Sequence, residues 1–293
     1  MRRGIATVCL SGTLEQKLAA AAHAGFDGVE IFEPDLIGSQ LTPTEVRIRA
    51  ADLGLSIDLY QPLRDFEGVG DAQFERNLRR AEAKFELMDE LGARTLLVCS
   101  NVAGDPIDDD GLAAEQLHAL AERAAERGIR VAYEALAWGR RVSEYHHAWR
   151  IVQSADHPAL GVCLDSFHIL SRGTSLDAIA DIPAEKLFFL QLADAPHLVM
   201  EVLQWSRHYR CFPGQGGFDL AGFTARVLGA GYRGPLSLEV FNDVFRQADP
   251  TRMAVDAMRS LLILEESIAA PERRELPAPP RLRGYAFVEL AVE

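Results

Sequence analysis

The sequence predicts an α/β barrel in which eight parallel strands, each followed by a helix, close on one another in a (β/α)8 fold. Three observations predict it. Short apolar runs alternate with helical stretches, near residues 3–9, 27–32, 55–60, 94–100, 129–134, 159–165, 186–192 and 235–240. These runs are almost continuously apolar, as strands are when both faces are covered. The length of 293 residues is close to the roughly 250 typical of such a barrel. Eight units in a row with short connections favour a closed sheet over an open one, and no Gly-rich dinucleotide turn follows the first run.

The opening MRRGIATVCLSGTLEQKLAAAA places arginines ahead of apolar residues, as a leader does. Glu15, Gln16 and Lys17 break that run early, so a first strand and a first helix fit better. Helices then read as LEQKLAAAAHAG, TPTEVRIRAADLG, FERNLRRAEAKFELMDELG and AAEQLHALAERAAERG, closing on Gly25, Gly54, Gly92 and Gly128. Glycine accepts the left-handed conformation that ends a helix. The barrel is expected to span 1–268 and to end with the helix MAVDAMRSLLILEES. A Pro-rich charged linker is expected at 269–282. The strand RGYAFVELAVE at 283–293 then has no obvious partner, and the favoured reading is a chain cut just inside a second domain.

Composition narrows the function. With 48% hydrophobic and 25% charged residues the chain can bury a large core. A net charge of -13 argues against nucleic acid, because phosphate binding needs basic surface. No stretch approaches the roughly 20 apolar residues that span a membrane, and a cytoplasmic protein is expected. Cys9, Cys99, Cys163 and Cys211 show no CxxC spacing and read as buried, reduced thiols. The number of subunits is left open, a homo-oligomer included.

Chemistry concentrates at four strand ends. IRVAYE stops on Glu134, ALGVCLD on Asp165, KLFFLQ on Gln191 and PLSLE on Glu239. Any one alone reads as a capping or salt-bridged group. Four in consecutive strands converge on the C-terminal mouth, where barrel active sites are built. Three facing carboxylates repel unless a cation sits between them. An all-oxygen set suits Mg²⁺, Mn²⁺ or Co²⁺ and not a structural zinc. His168, three residues after Asp165, stands within reach of that mouth and suits proton transfer near neutral pH. His23, His118, His146, His147 and His157 fall on helices or their ends and read as surface groups, while His197 and His208 are left open.

The segment 194–220 after the seventh strand is too long for a bare connector. It carries Ser206, Arg207, His208, Tyr209 and Arg210 ahead of the turn FPGQGGFD, and reads as a lid that clamps an anion and excludes water. Arg64, in YQPLRDFEG, and Arg210 are the candidates for pairing with a carboxylate, and each could equally be a surface ion pair.

GFDGVEIF, VAYEA, LDSFH, QLAD, PGQGGFD and LSLEVF together resemble the xylose-isomerase-like superfamily of metal-dependent barrels. Within it, IATVCLSGTLEQKL, DLYQPLRDFEG, LQWSRHYRCFPGQGGFD and EVFNDVFRQAD are similar to the bacterial 3-dehydroshikimate dehydratases, over residues 3–267. LRGYAFVELAVE resembles the first strand of the hydroxyphenylpyruvate-dioxygenase-like module fused behind them. The resemblance implies Glu134, Asp165, Gln191 and Glu239 as metal ligands. It places Arg64, His168, Ser206, Arg210 and Gln215 around the substrate, a small cyclic anion. It implies loss of water from 3-dehydroshikimate to give protocatechuate. A divalent metal polarises the ring ketone, His168 takes the C4 proton and assists loss of the C5 hydroxyl, and no redox cofactor is needed. Superfamily epimerases use two glutamates as bases, a role open to Glu134 and Glu239. The alternatives are a sugar isomerase or epimerase, and a non-catalytic metal- or ligand-binding barrel. Many epimerases carry His where Gln191 stands, which weakens the first. The intact ligand set with His168 argues against the second. A DNA-repair nuclease of the superfamily needs more histidines and a less acidic surface.

Overall fold

The computed structural model describes residues 1–269. Eight strands, β1 (Arg3–Ala6), β2 (Gly28–Phe32), β3 (Ser56–Leu63), β4 (Thr95–Cys99), β5 (Arg130–Glu134), β6 (Leu160–Asp165), β7 (Leu187–Leu192) and β8 (Leu236–Leu238), pair in chain order. All pairings are parallel, and β8 closes on β1 through Gly4 opposite Ser237. The expected closed barrel is therefore the observed one.

The helices are α1 (Leu14–Ala24), α2 (Glu33–Ile37), α3 (Pro43–Asp52), α4 (Asp71–Leu91), α5 (Asp110–Glu126), α6 (Tyr145–Ala155), α7 (Ser166–Leu170), α8 (Val202–His208), α9 (Leu220–Gly229) and α10 (Pro250–Ile268). Local chemistry sets several ends. Thr13 with Gln16 and Thr42 with Glu45 form reciprocal capping boxes at α1 and α3. Gly25 and Gly92, with φ of 87° and 77°, close α1 and α4 in the left-handed region, as the sequence indicated.

Two apolar clusters divide the core. The larger lies between strands and helices and includes Val131, Tyr133, Val162, Leu164, Leu190 and Leu238. The smaller fills the barrel itself with Leu59, Leu97, Cys99, Ala132, Leu136, Cys163, Phe188 and Phe189. The four cysteines are buried and unbridged, as expected.

Three strands differ from expectation: the third, expected over 55–60, runs on to Leu63, and the first and eighth depart as well. The first was expected to run over 3–9 but ends at Ala6, and Thr7–Cys9 tightens into a 3-10 turn. Thr7 Oγ1 takes the Phe32 N–H at 3.1 Å, and the Cys9 thiol reaches the Leu238 carbonyl at 3.3 Å. Side-chain bonds thus replace strand pairing there. The eighth strand is only three residues long, so Glu239 stands just beyond it. The linker expected at 269–282 and the strand at 283–293 lie, apart from Ala269, outside the described residues.

Candidate active site

Side chains along a strand alternate between its faces. Ala132, Cys163 and Phe189 belong to the apolar filling of the barrel. Two residues further along the same strands stand Glu134, Asp165 and Gln191, and Glu239 follows Ser237 by the same step. Period-two alternation therefore sets a polar ring directly above an apolar plug. All four residues are buried. Glu134 and Glu239 line a small cleft together with His168, Ser206 and Arg210, and Asp165 and Gln191 are not part of that lining.

Burial, then the neighbouring charges of Asp165 and Glu239, push the Glu134 carboxyl well above the usual carboxylate range. Burial raises Glu239 to about 7 against the opposing pull of Arg210. Burial also works to raise Asp165, but the Arg210 guanidinium holds it below its ordinary value. Arg210 itself is buried and fully committed. Its Nη1 donates to Asp165 Oδ2 at 2.8 Å and Glu239 Oε2 at 3.0 Å, and its Nη2 and Nε donate to Ser206 Oγ at 2.8 and 3.2 Å.

His168 is buried under these groups. Its Nδ1 accepts the Ala137 N–H at 3.1 Å, so the neutral ring carries its proton on Nε2. Nε2 lies 3.7 Å from Asp165 Oδ2, 3.9 Å from Glu134 Oε1 and 3.2 Å from Arg210 Nη2. Burial lowers the imidazole to about 3, with the arginines adding to the effect and Asp165 opposing it. A neutral ring with a proton on Nε2 is an acid toward the cleft. The base role expected of it requires that same nitrogen to be bare.

These residues fit a divalent cation. One guanidinium, Arg210, faces three carboxylates, and Glu134 Oε1 is buried without a hydrogen-bond partner. Ligand atoms of Glu134, Asp165 and His168 lie within 4.8 Å of one another. The Gln191 amide nitrogen is taken by Glu30 Oε2 at 2.6 Å, so its oxygen, approached only by the Cys163 thiol at 3.4 Å, is the end left to coordinate.

Glu30 was not singled out in the sequence. It is buried inside the barrel, where its carboxylate accepts from Gln191, from Gln61 at 2.8 Å and from Ser237. Burial and then Glu239 push its carboxyl well above the usual range. A signal existed in GFDGVEIF, where one charge interrupts an apolar strand, but attention to strand ends passed over it.

Arg64 does reach the cleft. Its loop is pinned from three sides: Asp65 Oδ1 accepts from Val102 N, Glu67 Oε1 accepts from Asn101 N and the Tyr133 hydroxyl, and the Asn77 amide donates to Asp65 O and Phe66 O. One expectation needs correction. Gln215 is exposed and absent from the cleft lining, because its amide donates to Asp256 Oδ2 at 2.8 Å and its oxygen accepts from Phe212 N. Arg210 does line the cleft, where it pairs with Asp165, Glu239 and Ser206.

The segment after β7 is folded in place. Asp194 and Cys211 exchange backbone hydrogen bonds of 2.9 and 2.8 Å. The Asp194 carboxylate gathers the N–H groups of Ala195, Gly214, Gly216 and Phe218 at 2.8–3.0 Å. This explains the turn PGQGGFD: a Cβ on Gly216 would stand 2.3 Å from Asp194 Oδ1. The glycines let backbone approach a buried carboxylate. Asp194→Asn turns one acceptor into a donor facing two N–H groups. It is expected to destabilise the protein by about 2–4 kcal/mol, measured by denaturant unfolding, and an unchanged midpoint would refute the account.

Comparison with known proteins agrees with this geometry. Residues 18–262 match the family described as xylose isomerase-like TIM barrel. The chain is 57% identical over its whole length to a 3-dehydroshikimate dehydratase of Pseudomonas aeruginosa, of which it covers 48%. It thus spans about half the length of that relative. A Neurospora crassa protein of the same name is 29% identical, with 94% of this chain matched to 95% of that protein. A solved structure, a xylose isomerase-like TIM barrel/4-hydroxyphenylpyruvate dioxygenase fusion protein, superposes with a TM-score of 0.90 at 58% identity, over 92% of this chain and 43% of that one. Strand order, the polar ring at the mouth and the family match converge: the chain belongs to the xylose isomerase-like TIM barrel family.

Proposed function

We propose that this chain removes water from 3-dehydroshikimate to give protocatechuate, using a divalent metal held by Glu134, Asp165, Gln191 and Glu239. The observation that carries the reading is the buried imidazole of His168, beside three carboxylates and below a mouth lined with arginines. The shared name of the Pseudomonas aeruginosa and Neurospora crassa relatives supports the substrate. The second spans little more than a barrel's length of matched chain, so the reading assigns the chemistry to the barrel.

The metal, Mg²⁺, Mn²⁺ or Co²⁺ for so oxygen-rich a set, supplies Lewis-acid polarisation of a carbonyl. The side chains do the rest. The substrate must lose the proton on C4 and the hydroxyl on C5. Glu134 and Glu239 are the carboxylates at hand for the first, and the proton so taken is returned to the C3 oxygen as the product forms. The proton on His168 Nε2 goes to the departing hydroxyl, which leaves as water. Loss of that proton leaves His168 a transient imidazolate, faced by the Ala137 N–H at Nδ1 and by Arg210 Nη2 at Nε2. It becomes neutral again by taking the second ring proton, whose loss makes the substrate ring aromatic. Ser206 and the buried floor exclude water from this exchange.

The test is the appearance of protocatechuate absorbance when metal-stripped protein and 3-dehydroshikimate receive each metal in turn. Product that forms only after metal addition supports the reading. No product with any metal, with ketose substrates interconverted instead, would replace it with an isomerase.

A further inference from the structure

Arg207 has no assigned task, and its surroundings give it one. It projects from α8, whose start is fixed by Glu201 accepting from Leu203 N and Gln204 N, and whose Trp205 packs edge-on against Phe167. The Arg207 guanidinium lies over the rings of Trp138 and Phe241, 5.8 and 5.0 Å from their centroids. All three line the same cleft as Glu134 and His168. Among the described residues, no hydrogen bond or ion pair joins its side chain to any other group. Arg64, in the same cleft lining, is equally without an acid partner among the described residues. The two are close enough that, after burial, the charge of Arg64 is the main influence lowering the pKa of Arg207. Two uncompensated guanidiniums brought together at a half-closed mouth are unfavourable until an anion enters between them.

We infer that Arg207, lying over Trp138 and Phe241 and acting with Arg64, is the specificity-determining residue that grips the ring carboxylate of the substrate. The inference deepens the dehydratase reading and rests on it for the identity of the ring. Arg210 is buried against Asp165, Glu239 and Ser206, whereas Arg207 is half-buried in the same cleft with no partner among the described residues, which makes it the arginine placed to meet an incoming anion. A planar fork that rests on aromatic rings can donate two parallel hydrogen bonds to a carboxylate with little loss of freedom.

The experiment compares two probes on the metal-loaded chain: protocatechuate, and catechol, which is the same ring without the carboxylate. Binding is followed by calorimetry for the wild type, Arg207→Gln and Arg207→Lys. Arg207→Gln is expected to weaken protocatechuate by ~10–100-fold and to leave catechol within about twofold, which also shows that the variant is folded. Arg207→Lys keeps the charge without the fork and is expected to fall between. With 3-dehydroshikimate, KM rises by a similar factor while kcat changes far less. Equal loss for both probes, or no loss for protocatechuate, overturns the clamp. So does a wild type that does not prefer protocatechuate to catechol. A wild type that yields no product, yet loses its preference for the carboxylate on Arg207→Gln, keeps the clamp and rejects the dehydratase.

Discussion

His168→Ala is expected to lower protocatechuate formation by ~10²–10⁴-fold while leaving metal affinity unchanged. The size follows from the position of the ring. His168 is the one imidazole in the cleft lining, and burial keeps it neutral at a pH where an exposed histidine is partly charged. Acidification from about pH 7 to about 6 therefore does not charge this ring, and no loss of rate near the ordinary histidine value should trace to it. The Ala137 N–H fixes which nitrogen faces the substrate, so no other side chain can take over by a simple rotation. Initial rates and a metal titration on the same preparation test the claim together. Near-normal turnover would remove His168 from the mechanism. Lost metal binding would make it a ligand and not a proton carrier.

Glu134→Gln is expected to act in opposite directions on two measurements. Metal affinity should fall by at least ~100-fold, beyond the 10–100-fold typical of losing an outer partner. The metal-free protein should be as stable as the wild type or more so. Its buried Oε1 has no partner, and the repulsion among Glu134, Asp165 and Glu239 is partly relieved when one becomes neutral. In the wild type, metal at 100 times its dissociation constant adds about 2.7 kcal/mol to unfolding stability, and the variant should show almost none of this at the same concentration. Thermal unfolding with and without metal reads both effects. A variant that is still strongly stabilised by metal would show that Glu134 is not a ligand.

Much of this was legible in the chain because the signals are local. Apolar runs at regular spacing gave the strands, and glycines such as Gly25 and Gly92 marked helix ends by a conformation few other residues adopt. The ring of Glu134, Asp165, Gln191 and Glu239 was legible because strand direction alone puts those ends together. The roles of the arginines were not. Whether Arg207 or Arg210 faces the acids depends on the angle at which α8 lies across the mouth, and Trp205 packing against Phe167 decides that angle. Gln215 sits in a turn whose path Asp194 controls from some twenty residues away. Glu30 shows the cost of a search rule. It lies one step inside the barrel from the strand ends, where Gln61, Gln191 and Ser237 meet it from three other strands.

The Asp194 knot has a consequence for how this family can change. Because one carboxylate and one bridge to Cys211 tie the segment at its base, the residues between act as a closed loop whose ends are already joined. Lengthening such a loop costs only about 0.6 kcal/mol per doubling. Positions 196–200 are all exposed and free to grow. New substrate-reading surface can therefore be tried above the mouth while the strands below keep their chemistry. The anchor can stay fixed while the loop it holds is exchanged.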